Sequence, residues 1–201
     1  VKRKHPVTGA EIPWEFTKIG HHCNYAIASE HLLTFRAANA GYHDLATGGT
    51  MALPGFRSGC RNSLIPANGI LNAPNFANGC ICSFSIYTSL AMVHMPDAEK
   101  WTYSSFGNDA GRIRKVGVNF NAPGDRMASN GTLWVDYPGN SRPSPQVSVS
   151  VQPAKPKGYQ VHSRQVKGKD GTNAWVAASG VSGVSSIRLK VGKPEDGASF
   201  Y

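Results

Sequence analysis

Hydrophobic and polar positions along this chain alternate in short runs cut by glycine, proline and asparagine, and no stretch keeps a helical period. Leu32 to Arg36 and Gly41 to Leu45 read as strands, as do Ile12 to Phe16 and Ile70 to Asn72. The pairs Ser63-Leu64-Ile65 and Gly69-Ile70-Leu71 flank a turn at Pro66-Ala67-Asn68. Ser83 to Met95 is a long apolar, β-branched and aromatic run that predicts further strand. Beyond residue 104 the alternation sharpens. Arg112 to Phe120, Thr132 to Tyr137, Gln146 to Val151, Gly158 to Ser163, Ala174 to Ala178 and Ser185 to Val191 predict about six strands. The fold class expected is all-β, with a β-sandwich or jelly-roll-like domain over residues 104–201.

A faint repeat runs through the first half. Ile27 to Leu33 aligns with Ile65 to Leu71, 38 residues later, and Cys23 and Cys60 fall at similar places in the two copies. A period near forty residues with several short strands is the signature of propeller blades. Residues 1–103 therefore read as terminal blades carrying the cysteine cluster. The polar stretch from Pro96 to Asp109 places the boundary near residue 104.

Composition fits this picture. Gly 22 and Pro 13 with only 16% charged residues suit a turn-rich β protein. No apolar run is long enough for a membrane-spanning helix. The start, Val-Lys-Arg-Lys-His-Pro, reads as the interior of a longer, processed polypeptide. The net charge of +9 would suit an anionic partner, but the cations are dispersed and no nucleic-acid-binding signature accompanies them. Nucleic acid is thus disfavoured, and an acidic polysaccharide is retained.

The four cysteines, Cys23, Cys60, Cys80 and Cys82, match no zinc or haem-attachment spacing. Their even number predicts two disulfides in an oxidising compartment. Cys80 and Cys82 would reach different partners, because bridging residues so close in sequence strains the bond, and the connectivity stays open. A thiolate metal site or cysteine-linked cofactor, with nitrogen ligands from His21, His22 and His94, is the sharper alternative.

Other chemistry is sparse. His43-Asp44 lie in one strand and point apart, and no nucleophile elbow accompanies them. Asp125-Arg126 reads as a loop salt bridge. Asp109, Asp125, Asp136, Asn119 and Asn130 offer oxygen ligands for Ca²⁺ without EF-hand spacing. Trp134 and Trp175 are expected in the core, whereas Tyr137 and Tyr159, beside turns, are the candidate sugar-stacking residues. No cofactor is predicted, and the chain alone leans away from catalysis.

Several blocks carry a family resemblance. Thr8-Gly9 followed by Trp14, His22-Cys23, Leu32 to Arg36, Tyr42 to Leu45, Gly48-Gly49-Thr50, Gly59-Cys60, Ile65 to Gly69 and Cys80 to Ser83 resemble the C-terminal end of large secreted bacterial proteins with a quinoprotein-like (BamB-like, PQQ-repeat) β-propeller of planctomycete type. Val118 to Arg126, Gly131 to Pro138 and Trp175 to Gly180 continue it. The resemblance implies blades followed by a sandwich-like tail. The role expected of the chain is that of a non-catalytic binding or scaffold module of a secreted or periplasmic protein. The partner would be the N-terminal remainder of the same protein or another subunit. A cofactor-containing propeller enzyme with its active site on other blades, and a polysaccharide-binding module, are the alternatives.

Overall fold

The computed structural model describes residues 1–16, 18, 24–60, 64–75, 81–95, 98–107, 111–139, 144–167 and 173–192. The chain is all-β, and among the described residues helix is confined to one four-residue turn and one 3-10 turn. None of the described helices is long and apolar enough to cross a membrane. Two compact units form: Phe16–Ala98, and Val1–Glu15 together with Glu99–Tyr201.

The first unit holds β3 (Ile27–Ala28), β4 (Leu32–Ala37), β5 (Asn39–Asp44) and β6 (Gly49–Leu53), paired in sequence order as an antiparallel meander. Asp44 shapes the β5–β6 turn, its carboxylate accepting from the Ala46 and Thr47 N–H groups at 2.9 and 3.1 Å. A second antiparallel sheet follows: β7 (Ile65–Ala67), β8 (Ile70–Ala73) and β9 (Leu90–Val93). Asn68 and Gly69, both at positive φ, close the β7–β8 hairpin. Of the long run predicted as strand from Ser83 to Met95, only Leu90–Val93 pairs; Phe84 and Tyr87 lie in turn and bend structure, 47% and 73% exposed. Apolar character alone did not supply a neighbouring strand there.

The second unit opens with a hairpin of β1 (Lys2–Lys4) and β2 (Glu11–Pro13). The predicted break near residue 104 assigned this hairpin to the blades; instead it packs with the C-terminal strands. The cause is Val7, at the hairpin turn, buried with Leu133 and Val135 in one cluster, while its carbonyl accepts from Arg114 and Lys115. A short β10 (Tyr103–Ser104) precedes β11 (Gly117–Phe120), β12 (Arg126–Met127) and β13 (Leu133–Tyr137). In that last sheet β13 is central, antiparallel to β12 and parallel to β11. β14 (Ser148–Gln152) pairs with β17 (Ser186–Lys190), and β15 (Lys157–Gln160) with β16 (Ser179–Ser182), both antiparallel.

Ala174 to Ala178, predicted as strand, is helical at α1 (Ala174–Ala177). Three alanines make helix cheap here, since alanine loses no side-chain entropy in it. Gly158 to Ser163, predicted as one strand, ends at Gln160 and enters a 3-10 turn at Ser163–Gln165. His162 caps that turn, its Nδ1 accepting from the Arg164 N–H at 3.1 Å.

Candidate functional site

Two features of the described residues bring functional side chains together. One is the stacking of the repeated hairpins. The other is an aromatic and charged cluster in the second unit.

The 38-residue repeat is a repeat of backbone register. Ile27 pairs with Thr34 and Ala28 with Leu33; Ile65 pairs with Asn72 and Pro66 with Leu71. In each copy the second strand then pairs with a third, β5 or β9. Strand alternation gives each meander two faces. In the first copy, one face carries Leu33, Phe35 and His43, and the Phe16 ring lies 5.0 Å from both Phe35 and His43. The opposite face carries Thr34, Ala40 and Tyr42, continued on β6 by Leu53. Ala40 and Leu53 pack with Leu71, Ala73, Leu90 and Met92 of the second copy, around Phe56 and Leu64. The Thr34 hydroxyl donates to the Leu64 carbonyl at 2.8 Å.

The two meanders therefore stack head to tail, the outer face of the first on the inner face of the second. The outer face of the second is open. Ile65, Ile70 and Val93 project from it, 47%, 37% and 75% exposed, with Ile70 and Val93 cross-strand partners. The equivalent face of the first copy buries Thr34 and Ala40 completely.

In the second unit, Arg126 and Trp134 are cross-strand partners on one face of the β11–β13–β12 sheet. Trp175, from α1, packs its edge against Trp134 at 5.8 Å and Trp101 at 6.1 Å. The Arg126 guanidinium lies over the Trp175 ring, 4.8 Å from its centroid. Gly117 makes room for this arrangement, since a β-carbon there would sit 2.1 Å from the Trp134 ring. Glu99 lies beside them, accepting from the Trp101 indole at 3.4 Å and the Ser163 N–H at 2.5 Å. Burial works to raise the Glu99 pKa, but the Ser163 and Trp101 hydrogen bonds and the His162 charge outweigh it and hold the carboxyl below its ordinary value. Burial pulls the Arg126 pKa down, opposed by the charge of Glu99.

A carboxyl depressed on folding stabilises the fold above its unfolded value and loses that contribution as pH falls through the folded one. Urea midpoints followed from about pH 6 to about pH 3 should thus fall less steeply in Glu99→Gln than in the wild type. Identical slopes would remove Glu99 from acid sensitivity.

The predicted site residues fall as follows. Tyr159 is 47% exposed, its ring lying across Gly180 of the paired strand. Tyr137 is half-buried, its ring 5.4 Å from Phe120. Asn121 links their backbones, its N–H donating to the Tyr137 carbonyl and its amide to the Tyr159 carbonyl at 3.0 Å. Cys60, half-buried, and Cys82, exposed, are free thiols, and Arg36 Nη1 donates to Cys60 Sγ at 3.3 Å. Cys23 and Cys80, with His21, His22 and Asp109, lie outside the described residues.

Asp125 and Arg126 form no ion pair among the described residues. The expected loop salt bridge gives way because Arg126 turns to Trp175, while the buried Asp125 carboxylate accepts from the Ser104 N–H and hydroxyl and from the Asp136 N–H. Asn119 and Asn130, also weighed as oxygen ligands, accept from Ser179 and Thr132. Among the described residues no three His, Cys, Asp or Glu side chains gather as a metal site would require. His43 is fully buried and hydrogen-bonded to Thr50 at 2.8 Å.

Sequence reasoning placed Trp134 and Trp175 in packing positions but missed Arg126 and Trp101 as their companions. The signal was the alternation that puts Arg126 opposite Trp134. No protein-family model, curated protein or solved structure matches this chain.

Proposed function

We propose that this chain is a non-catalytic binding and scaffold module of a larger secreted or periplasmic protein of β-propeller type, and that its open face docks a further meander of the same kind carried by that protein. The supporting observation is the head-to-tail stack. The outer face of the first meander packs on the inner face of the second, and the second offers Ile65, Ile70 and Val93 to solvent on its own outer face. A heterologous contact of this sort repeats until the series closes into a ring, as propeller blades do, or until another element covers its end. Burying three β-branched side chains on a flat sheet is favourable at roughly 1.5–3 kcal/mol each when burial is complete. The propeller resemblance and the secreted or periplasmic location belong to the same reading.

The test is a photo-crosslinking residue at position 93 in the protein as its host makes it, followed by sequencing of the joined peptides. A crosslink to a strand of alternating apolar residues in the same protein is the expected result. A crosslink to another subunit would move the partner to a separate chain. Lipid or glycan adducts, or a crosslinker consumed only by solvent, would overturn the docking.

A further inference from the structure

A second surface in the chain has a different character. Arg112, Ile113, Arg114, Lys115, Leu189 and Val191 line an open groove of about 900 Å³ in the second unit. Its size falls at the upper end of the roughly 300–1,000 Å³ of ligand clefts. The walls are fixed by main chain. The Ile113 N–H donates to the Val191 carbonyl at 3.1 Å, and the Arg114 and Lys115 N–H groups donate to the Val7 carbonyl at 2.8 and 3.1 Å. Lys115 Nζ is held by the Asn130 carbonyl at 3.2 Å. Gly9, at φ +74°, lets the Arg114 side chain lie close against the turn, since a β-carbon there would stand 3.3 Å from Arg114 Cδ.

The lining is amphipathic in a particular way. Three cations line it, and among the described residues no carboxylate lines it and its apolar part is aliphatic. No aromatic ring among the described residues lines it, so nucleobase or sugar stacking finds no platform among them. Aliphatic and cationic lining together match a polypeptide that presents acidic and apolar side chains on one side. In an extended segment residues i and i+2 face the same way, so carboxylates and aliphatic side chains that follow one another at every second position meet the cations and Leu189 together.

We propose that this groove docks an extended acidic–apolar peptide segment of a partner protein, with Arg114 and Lys115 reading its carboxylates and Leu189 its apolar side chains. This goes beyond the scaffold reading and uses none of the residues that carry it.

Fluorescence anisotropy with a labelled short peptide that carries glutamate and leucine in turn at every second position, with serine between them, is the test. Saturable binding is expected, weakened about ten-fold by Arg114→Glu and by added salt, since exposed charge pairs are screened. Leu189→Ser should weaken it severalfold. Both residues line an open groove, and circular dichroism checks that the variants fold. Equally tight binding of the same peptide with serine in place of its leucines would reduce the groove to a nonspecific cationic patch. Displacement by polygalacturonate at equal carboxylate concentration would reassign it to acidic polysaccharide. Unchanged affinity in Arg114→Glu would remove the site, and salt titration of the wild type reads the same charge dependence without any variant.

Discussion

Replacing Trp175 by alanine should lower the free energy of unfolding by about 3–5 kcal/mol, the range for truncating a large buried aromatic side chain. The ring is only 8% exposed. Its edge meets Trp101 and Trp134, and its face carries the Arg126 guanidinium. The indole also holds its own backbone in place. A four-residue helix such as α1 cannot sustain itself, because nucleation consumes more order than so few hydrogen bonds return. Truncation should therefore leave a cavity, release α1 and expose Arg126 together. Urea denaturation followed by circular dichroism measures the loss, and Trp175→Phe should recover part of it. Typical domains hold only about 5–15 kcal/mol in total, so the alanine variant sits near the edge of folding. A loss below about 1 kcal/mol would mean that the cluster is ornament on a fold held elsewhere.

Gly117→Ala is the second large expected effect, and it runs in the opposite steric sense. The added carbon would stand 2.1 Å from Trp134 Cδ2 and 2.5 Å from Cε2 and Cε3, distances no pair of atoms tolerates. Gly117 and Trp134 are register partners on parallel strands, so the ring lies directly across the glycine. The ring cannot slide away, because Trp175 abuts it and Leu133 and Val135 fix its strand from the other face. Overpacking of this kind costs about 1–3 kcal/mol and occasionally more. Combining it with Trp134→Leu should be less costly than the sum of the two single changes, and a double-mutant cycle reads that coupling. Strict additivity would show that the strain arises from the backbone at Gly117 rather than from the ring.

Much of the architecture was legible from residue pattern. The apolar run Leu32 to Arg36 and the alternation of Thr132 to Tyr137 announced strands that formed nearly as read, and the offset between Ile27 and Ile65 announced a repeat that extends to register. What escaped was decided by distant partners. Ala174 to Ala178 alternates weakly enough to pass for strand, and only the docking of Trp175 onto Trp134 distinguishes the helix. Ser83 to Met95 is apolar throughout, yet pairing requires a neighbour, and only its last residues find β8. The N-terminal hairpin joins the C-terminal strands through Arg3, His5 and Val7, and nothing near them in sequence names Phe106, Leu133 or Val135 as their neighbours. The site followed the same rule. Exposure of Tyr159 beside its turn was readable, whereas the turning of Arg126 away from Asp125 depended on a ring almost fifty residues downstream.

The matched register of the two meanders also bears on how this chain tolerates change. Their second hairpins differ greatly in span: Ala37 passes to Asn39 through a single residue, whereas Ala73 reaches Leu90 by a long excursion. Both nevertheless present a third strand to the same edge. The entropy of closing a loop grows only logarithmically, by about 0.6 kcal/mol for each doubling, so length added there weighs little against the sheet it interrupts. The β8–β9 connection is thus a place where this protein can acquire or shed sequence, cysteines included, while the strands on either side keep their partners.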